Sequence, residues 1–194
     1  MNYLNTVTLS GLLHHLSRKK NHAYFPFSIR HENLWTDGTT RRDFLNARAF
    51  SQELQDKLSA LDENTPIKVT GALRSSKGSG ELYLAVLDVE VLPEIKTLEN
   101  SVKLSGEVHK IKAKAEGVTG TGKYIRFAVR QEVQDFDGHA RKDFIVVRVY
   151  DDDNNKTLQE ILASKNDNDP VQIEGTLRSS RGSGVNYVRC TKIE

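Results

Sequence analysis

A chain of 194 residues with 28 Lys and Arg against 26 Asp and Glu carries a net charge of only +2. No general basic field marks it for nucleic acid, so any anion-binding surface has to be local. The single cysteine, Cys190, excludes an intramolecular disulfide framework and a cysteine-based zinc site, no apolar run reaches membrane length, and residues 1–10 lack an export pattern; a reducing, cytoplasmic setting is expected, with no membrane partner.

The first predicted elements are three strands, over residues 7–13, 24–30 and 44–50. Trp35 stands in a polar stretch ahead of Asp37-Gly38, a dipeptide that reads as the turn of a hairpin between the second and third strands. A helix is expected over 51–61, where Leu54, Leu58 and Leu61 share one face and Ser51 is placed to cap the first turn. Two alternating strands, 67–74 and 81–91, complete this part, and a seam follows at 93–99.

Beyond the seam the same order returns. Leu9-Ser10-Gly11 recurs as Leu104-Ser105-Gly106. The set Asp37, Gly38, Arg41, Asp43, Phe44, Arg48 recurs as Asp137, Gly138, Arg141, Asp143, Phe144, Arg148. The run 71–80, Gly-Ala-Leu-Arg-Ser-Ser-Lys-Gly-Ser-Gly, recurs almost unchanged over 175–184. The second copy is therefore expected to hold strands at 124–130, 144–150, 171–178 and 185–193 and a helix at 157–164. Three strands, a helix and two strands is the order of an OB fold, so the fold class expected is all-β with one short helix per domain, two tandem five-stranded OB barrels over 1–93 and 98–194.

Alternation divides each strand into two faces. In the third strand of each copy, Leu45, Ala47, Ala49 and Ile145, Val147, Val149 form the inward face. Phe44, Arg48 and Phe50, and Phe144, Arg148 and Tyr150, are left facing outward. In the second strand Ile125, Phe127 and Val129 point inward, which sends Tyr124, Arg126 and Arg130 outward; Tyr24 and Arg30 hold the corresponding side of the first copy. Exposed rings interleaved with arginines suit single-stranded nucleic acid, whose bases stack on aromatics while cations neutralise phosphates. The repeated Arg-Ser-Ser-Lys/Arg-Gly-Ser-Gly joins the last two strands as a basic hairpin tip, expected to touch phosphates through Arg74, Lys77, Arg178 and Arg181.

Three other patterns point to no chemistry. Gly117 to Lys123 has most of a phosphate-binding loop, but Tyr124 stands where a Ser or Thr would hold magnesium, and a strand follows where a helix should. The six histidines show no metal-ligand spacing. Asp151-Asp152-Asp153 beside two asparagines reads as a solvated turn. No catalytic residue, metal or cofactor is expected.

Asn5-Thr6-Val7-Thr8-Leu9-Ser10-Gly11 resembles the opening strand of the bacterial single-stranded DNA-binding protein family. Asp43-Phe44-Leu45-Asn46 with Phe50, and Val69-Thr70-Gly71-Ala72-Leu73-Arg74-Ser75, are similar to its third and fourth strands, and 143–150 and 173–179 match more loosely. The resemblance implies base stacking at Phe44 and Phe50, with Trp35 near another stacking position, and extends that role to Phe144 and Tyr150. It also implies a non-enzymatic, nucleoid-associated protein that reaches four barrels as a homodimer and meets replication, recombination or repair proteins. The chain departs from the family in its short loops after Arg74 and Arg178 and in ending at Lys192-Ile193-Glu194 without an acidic tail, which suits a specialised phage, mobile-element or primosome role. The competing readings are an OB scaffold whose rings meet proteins instead of bases, and RNA binding by the same stacking.

Overall fold

The computed structural model describes residues 3–15, 23–34, 38–111, 117–119, 122–134, 138–150 and 158–194. The chain is mostly β. In the first half β1 (Asn5–His15), β2 (Phe25–Leu34) and β3 (Thr40–Ala49) precede α1 (Gln52–Ser59), then β4 (Pro66–Ser75) and β5 (Leu82–Val91). The second half has β6 (Asn100–His109), a short β7 (Gly117–Thr119), β8 (Gly122–Gln134), β9 (Ala140–Tyr150), α2 (Leu158–Ser164), β10 (Pro170–Ser179) and β11 (Asn186–Ile193).

In the first half hydrogen bonds run from β1 to β2, β3, β5, β4 and back to β1, antiparallel except at β3–β5. The second half closes in the same sense through β6, β8, β9, β11 and β10, parallel only at β9–β11, with β7 added beside β8. Closure consumes most strand edges, and the apolar sides of the strands fill the interior. Leu45, Ala47 and Ala49, Ile125, Phe127 and Val129, and Ile145, Val147 and Val149 are all buried, as their alternation predicts.

Close approach explains the repeated glycines. A Cβ on Gly11 would lie 2.6 Å from the Arg30 carbonyl oxygen, and one on Gly106 would lie 2.5 Å from that of Arg130. At Gly71 and Gly175, which follow a register shift in β4 and β10, the corresponding clash is 2.2 Å from the Ala85 and Arg189 carbonyls. These positions leave no room for any side chain.

Helix α1 begins as its sequence indicates: Ser51 Oγ accepts from the Leu54 amide at 3.3 Å, and Leu58 is fully buried with Leu54 and Leu61 packed beside it. Residues 151–157, with the aspartate run and the expected start of the second helix, lie outside the described residues. Tyr124 lies in β8, so the glycine-rich segment before it leads into a strand. Among the described residues no helix is long and apolar enough to cross a membrane.

The halves join in two ways. First, β1 and β6 pair antiparallel from Asn5–Leu104 to Leu9–Asn100, making one continuous sheet. Second, β3 meets β5 only from Ala47 onward, and part of its remaining edge is taken by the other half: Asn46 N donates to Asn186 Oδ1 at 3.2 Å. On the reciprocal side Phe144 N donates to Ser75 Oγ at 3.2 Å. Sheet edges that would otherwise invite foreign strands are thereby covered from within the chain.

Candidate nucleic-acid interface

Two equivalent outer surfaces carry the predicted residues. At one end of the first, Phe44 is 43% exposed, cross-strand from Arg30, with the His14 ring edge-on at 5.2 Å. His14 Nδ1 lies 2.5 Å from Glu63 Oε1. The His15 amide and His14 hold the Glu63 carboxyl below its usual range. In the second half Phe144 is half-buried, cross-strand from Arg130, with the His109 ring at 4.8 Å. Burial pushes the His109 pKa down, and the charges of Lys110 and Arg130 act in the same direction against Asp167. Arg30 lies 3.7 Å from Glu32, and Arg130 is ion-paired with Glu107.

At the other end of each surface an arginine is sandwiched between tyrosines. The Arg48 guanidinium carbon sits 3.9 Å from the Tyr83 ring centre and 4.8 Å from that of Tyr24, while Nη2 donates to Ser76 Oγ at 2.9 Å. Phe50 adds a ring 5.5 Å from Tyr24 and 6.2 Å from Tyr83. The copy is faithful: Arg148 lies 3.9 Å from Tyr187 and 5.2 Å from Tyr124 and donates to Ser180 Oγ at 2.8 Å. Cation–π contact of this kind fixes the arginine as a platform whose rim carries the half-buried Tyr24, Phe50 and Tyr124.

Three predicted residues are placed differently. Tyr150 is only 6% exposed: Arg189 lies over its ring at 4.9 Å, Tyr124 packs at 5.4 Å, and burial together with Tyr187 pushes its hydroxyl up to about 12. Alternation puts Tyr150 outside, but Arg189 of the neighbouring strand β11 lies over its ring. Arg74 and Arg178 sit at the base of their hairpins, not at the tips. Arg74 is 3.0 Å from Asp143 and donates to the Gln134 carbonyl at 2.9 Å. Arg178, 7% exposed, is 2.8 Å from Asp43. A fully buried carboxylate requires a cation beside it, and these two arginines meet that requirement across the junction.

Lys77 and Arg181 are exposed at the hairpin tips, beside Gly78 and Gly182 with φ of +89° and +85° that only glycine adopts without strain. Arg126 is also exposed, on β8. Trp35 lies outside the described residues. Sequence reasoning missed Tyr83, Tyr187 and the histidines His14 and His109. Their signal was available, because each pair keeps the displacement of its repeat: Tyr83 and Tyr187 that of the hairpin run, His14 and His109 that of Leu9 and Leu104.

No protein-family model and no curated protein matches the sequence. Among solved structures, that of the wild-type single-stranded DNA binding protein from Thermus aquaticus matches 100% of this chain and 93% of its own length, with a TM-score of 0.71 at 18% identity. A deletion mutant of the same protein matches 99% of this chain and 94% of its own, also at 0.71, with 17% identity. The chain shares that fold along its whole length.

Proposed function

We propose that the chain is a non-enzymatic, sequence-tolerant binder of single-stranded DNA, built from two OB-fold units over residues 1–93 and 98–194. The observation that carries the reading is Phe44: a phenyl ring 43% exposed in mid-strand, flanked by Arg30 and backed by His14, with its counterpart Phe144 set between Arg130 and His109. Water is a poor solvent for such a ring, whereas an unpaired base stacks on it and leaves its phosphates within reach of cations. Tyr24, Phe50 and Tyr124 extend the stacking surface, Arg48 and Arg148 support it from below, and Arg126, Lys77 and Arg181 supply the charge. Tyr150, Arg74 and Arg178 act as supports rather than contacts. The likeness to the Thermus aquaticus protein over the full length agrees with this assignment.

The test is a gel shift against matched single- and double-stranded DNA at two salt concentrations. Retardation of the single strand that weakens with salt supports the reading; equal or absent retardation of both overturns it. Competition between oligo-dT and oligo-U separates DNA from RNA preference. A homodimer that presents four units is the assembly proposed with it, and light scattering gives either the 21.8 kDa of one chain or twice that mass.

A further inference from the structure

Each repeated hairpin turn serves both halves. On its own side, Ser180 ties the β10–β11 turn to Arg148 on β9. Across the junction, Asn46 Nδ2 donates to the Gly184 carbonyl at 3.4 Å and Asn186 Nδ2 to the Asn46 carbonyl at 3.0 Å, so the same turn abuts β3 between Phe44 and Arg48. The β4–β5 turn does the reverse, with Ser76 bound to Arg48 on β3 and Ser75 bound to the amide of Phe144 on β9. The outer faces of β3 and β9 therefore border one another through the turns that carry Lys77 and Arg181.

Two aspartates hold this arrangement. Asp43, fully buried on β3, accepts from Ser179 Oγ at 2.9 Å and the Ser179 amide at 3.2 Å, and pairs with Arg178 of the other half and with Arg41 of its own. Asp143 makes the same contacts with Ser75, Arg74 and Arg141. Arg41 and Arg141 then donate to the carbonyls of Ser179 and Ser75. Neither aspartate reaches the outer face, so neither is placed to touch DNA.

We propose that Asp43 and Asp143 are positioning residues, which clamp each basic turn against the opposite half and so join the two candidate faces into one continuous site for a single strand. The inference rests on the reading of those faces as DNA-binding. The β1–β6 ladder keeps the halves together when the clamps are loosened, so the consequence falls on continuity and not on either face alone.

The experiment measures anisotropy of labelled oligo-dT of roughly 8 nucleotides, within reach of one unit, and roughly 30, enough for two. Linked sites give the wild-type chain a gain on the order of 100-fold for the longer strand. In Asp143→Asn and Asp43→Asn the gain is expected to fall below about 10-fold while the short-strand Kd stays within about 2-fold, a split that a general loss of folding does not produce. Where those variants fail to fold by circular dichroism, Ser75→Ala combined with Ser179→Ala removes the clamped hydroxyls, of which that of Ser75 also accepts from the Phe144 amide, and is held to the same split. Folded variants that keep the full gain overturn the clamp alone. A wild-type chain that binds neither oligonucleotide overturns the functional reading and the clamp with it.

Discussion

Asp43 and Arg178 stand 2.8 Å apart across the junction of the two halves, the carboxylate fully buried and the arginine 7% exposed. Burial disfavours the Arg178 charge, and Asp43 opposes that. Removing one member of such a pair leaves the other charged in a dry site, which costs about 3–5 kcal/mol, whereas replacing both with apolar residues of similar size is often close to neutral. Asp43→Ala leaves both Arg178 and Arg41 without the Asp43 carboxylate and is therefore expected to lower stability by about that amount in urea denaturation, and Asp43→Leu with Arg178→Met, which leaves only Arg41 and its bond to the Ser179 carbonyl, by less. Equal losses in the single and double variants would mean that the packing of the junction, and not its ion pair, sets the stability.

A second prediction concerns His31, 2% exposed, whose Nδ1 lies 2.8 Å from the Ser10 carbonyl. Gln131 fills the equivalent slot in the second half and donates to the Ser105 carbonyl at 2.7 Å. Burial lowers the His31 pKa from 6.5, with Arg178 adding to the effect and the Ser10 carbonyl, Asp43 and Asn33 opposing it. Above 6.5 the ring is neutral in both the folded and unfolded chain, and stability is complete. As pH falls through that value the unfolded chain takes up the proton first, and stability is lost. His31→Gln, already accommodated in the other half, removes this loss. The Tm difference between variant and wild type is expected to shift in favour of the variant from about pH 8 to about pH 5.5. A difference that is constant over this range refutes the assignment.

Alternation and repetition made much of this architecture legible. Leu45, Ala47, Ala49 and their counterparts faced inward as their spacing indicates, and the cap at Ser51 followed from the residue and its place before an amphipathic run. Period-two patterning reports the face of a strand but not its lateral neighbours. It could not reveal that Tyr83 and Tyr187, far along the chain, stack under Arg48 and Arg148, nor that Arg74 and Arg178 would cross the junction to Asp143 and Asp43. Tyr150 failed for the same reason: its face was read correctly along β9, but Arg189 on β11 covers it.

The glycines give a third prediction. Gly71→Ala would put a methyl group 2.2 Å from the Ala85 carbonyl oxygen, a backbone atom that cannot swing aside. Overpacking of this kind costs about 1–3 kcal/mol or more, so a drop of at least that size is expected in denaturation, and Gly175→Ala should match it at the Arg189 carbonyl. Gly78→Ala meets no atom within 4 Å but sits at a φ of +89°, so its cost is confined to backbone strain of about 1–2 kcal/mol. A Gly71→Ala variant as stable as the wild type would show that β4 and β5 can part at this point without cost.

The last prediction separates stacking from charge. Phe44→Ala and Phe144→Ala each remove one platform, and each should weaken oligo-dT binding by about 1–3 kcal/mol, or about 5- to 150-fold, while leaving the salt dependence unchanged. Phe44 is the more exposed ring, so its loss should weigh more. Lys77→Ala and Arg181→Ala remove tip charges instead, and each should flatten the log Kd against log salt slope by about 0.7 for every phosphate that is no longer neutralised. Titrations at three salt concentrations distinguish the two classes. If the phenylalanine variants change the slope and the tip variants do not, cations other than Lys77 and Arg181 follow the strand, and Arg126 on β8 becomes the next residue to substitute.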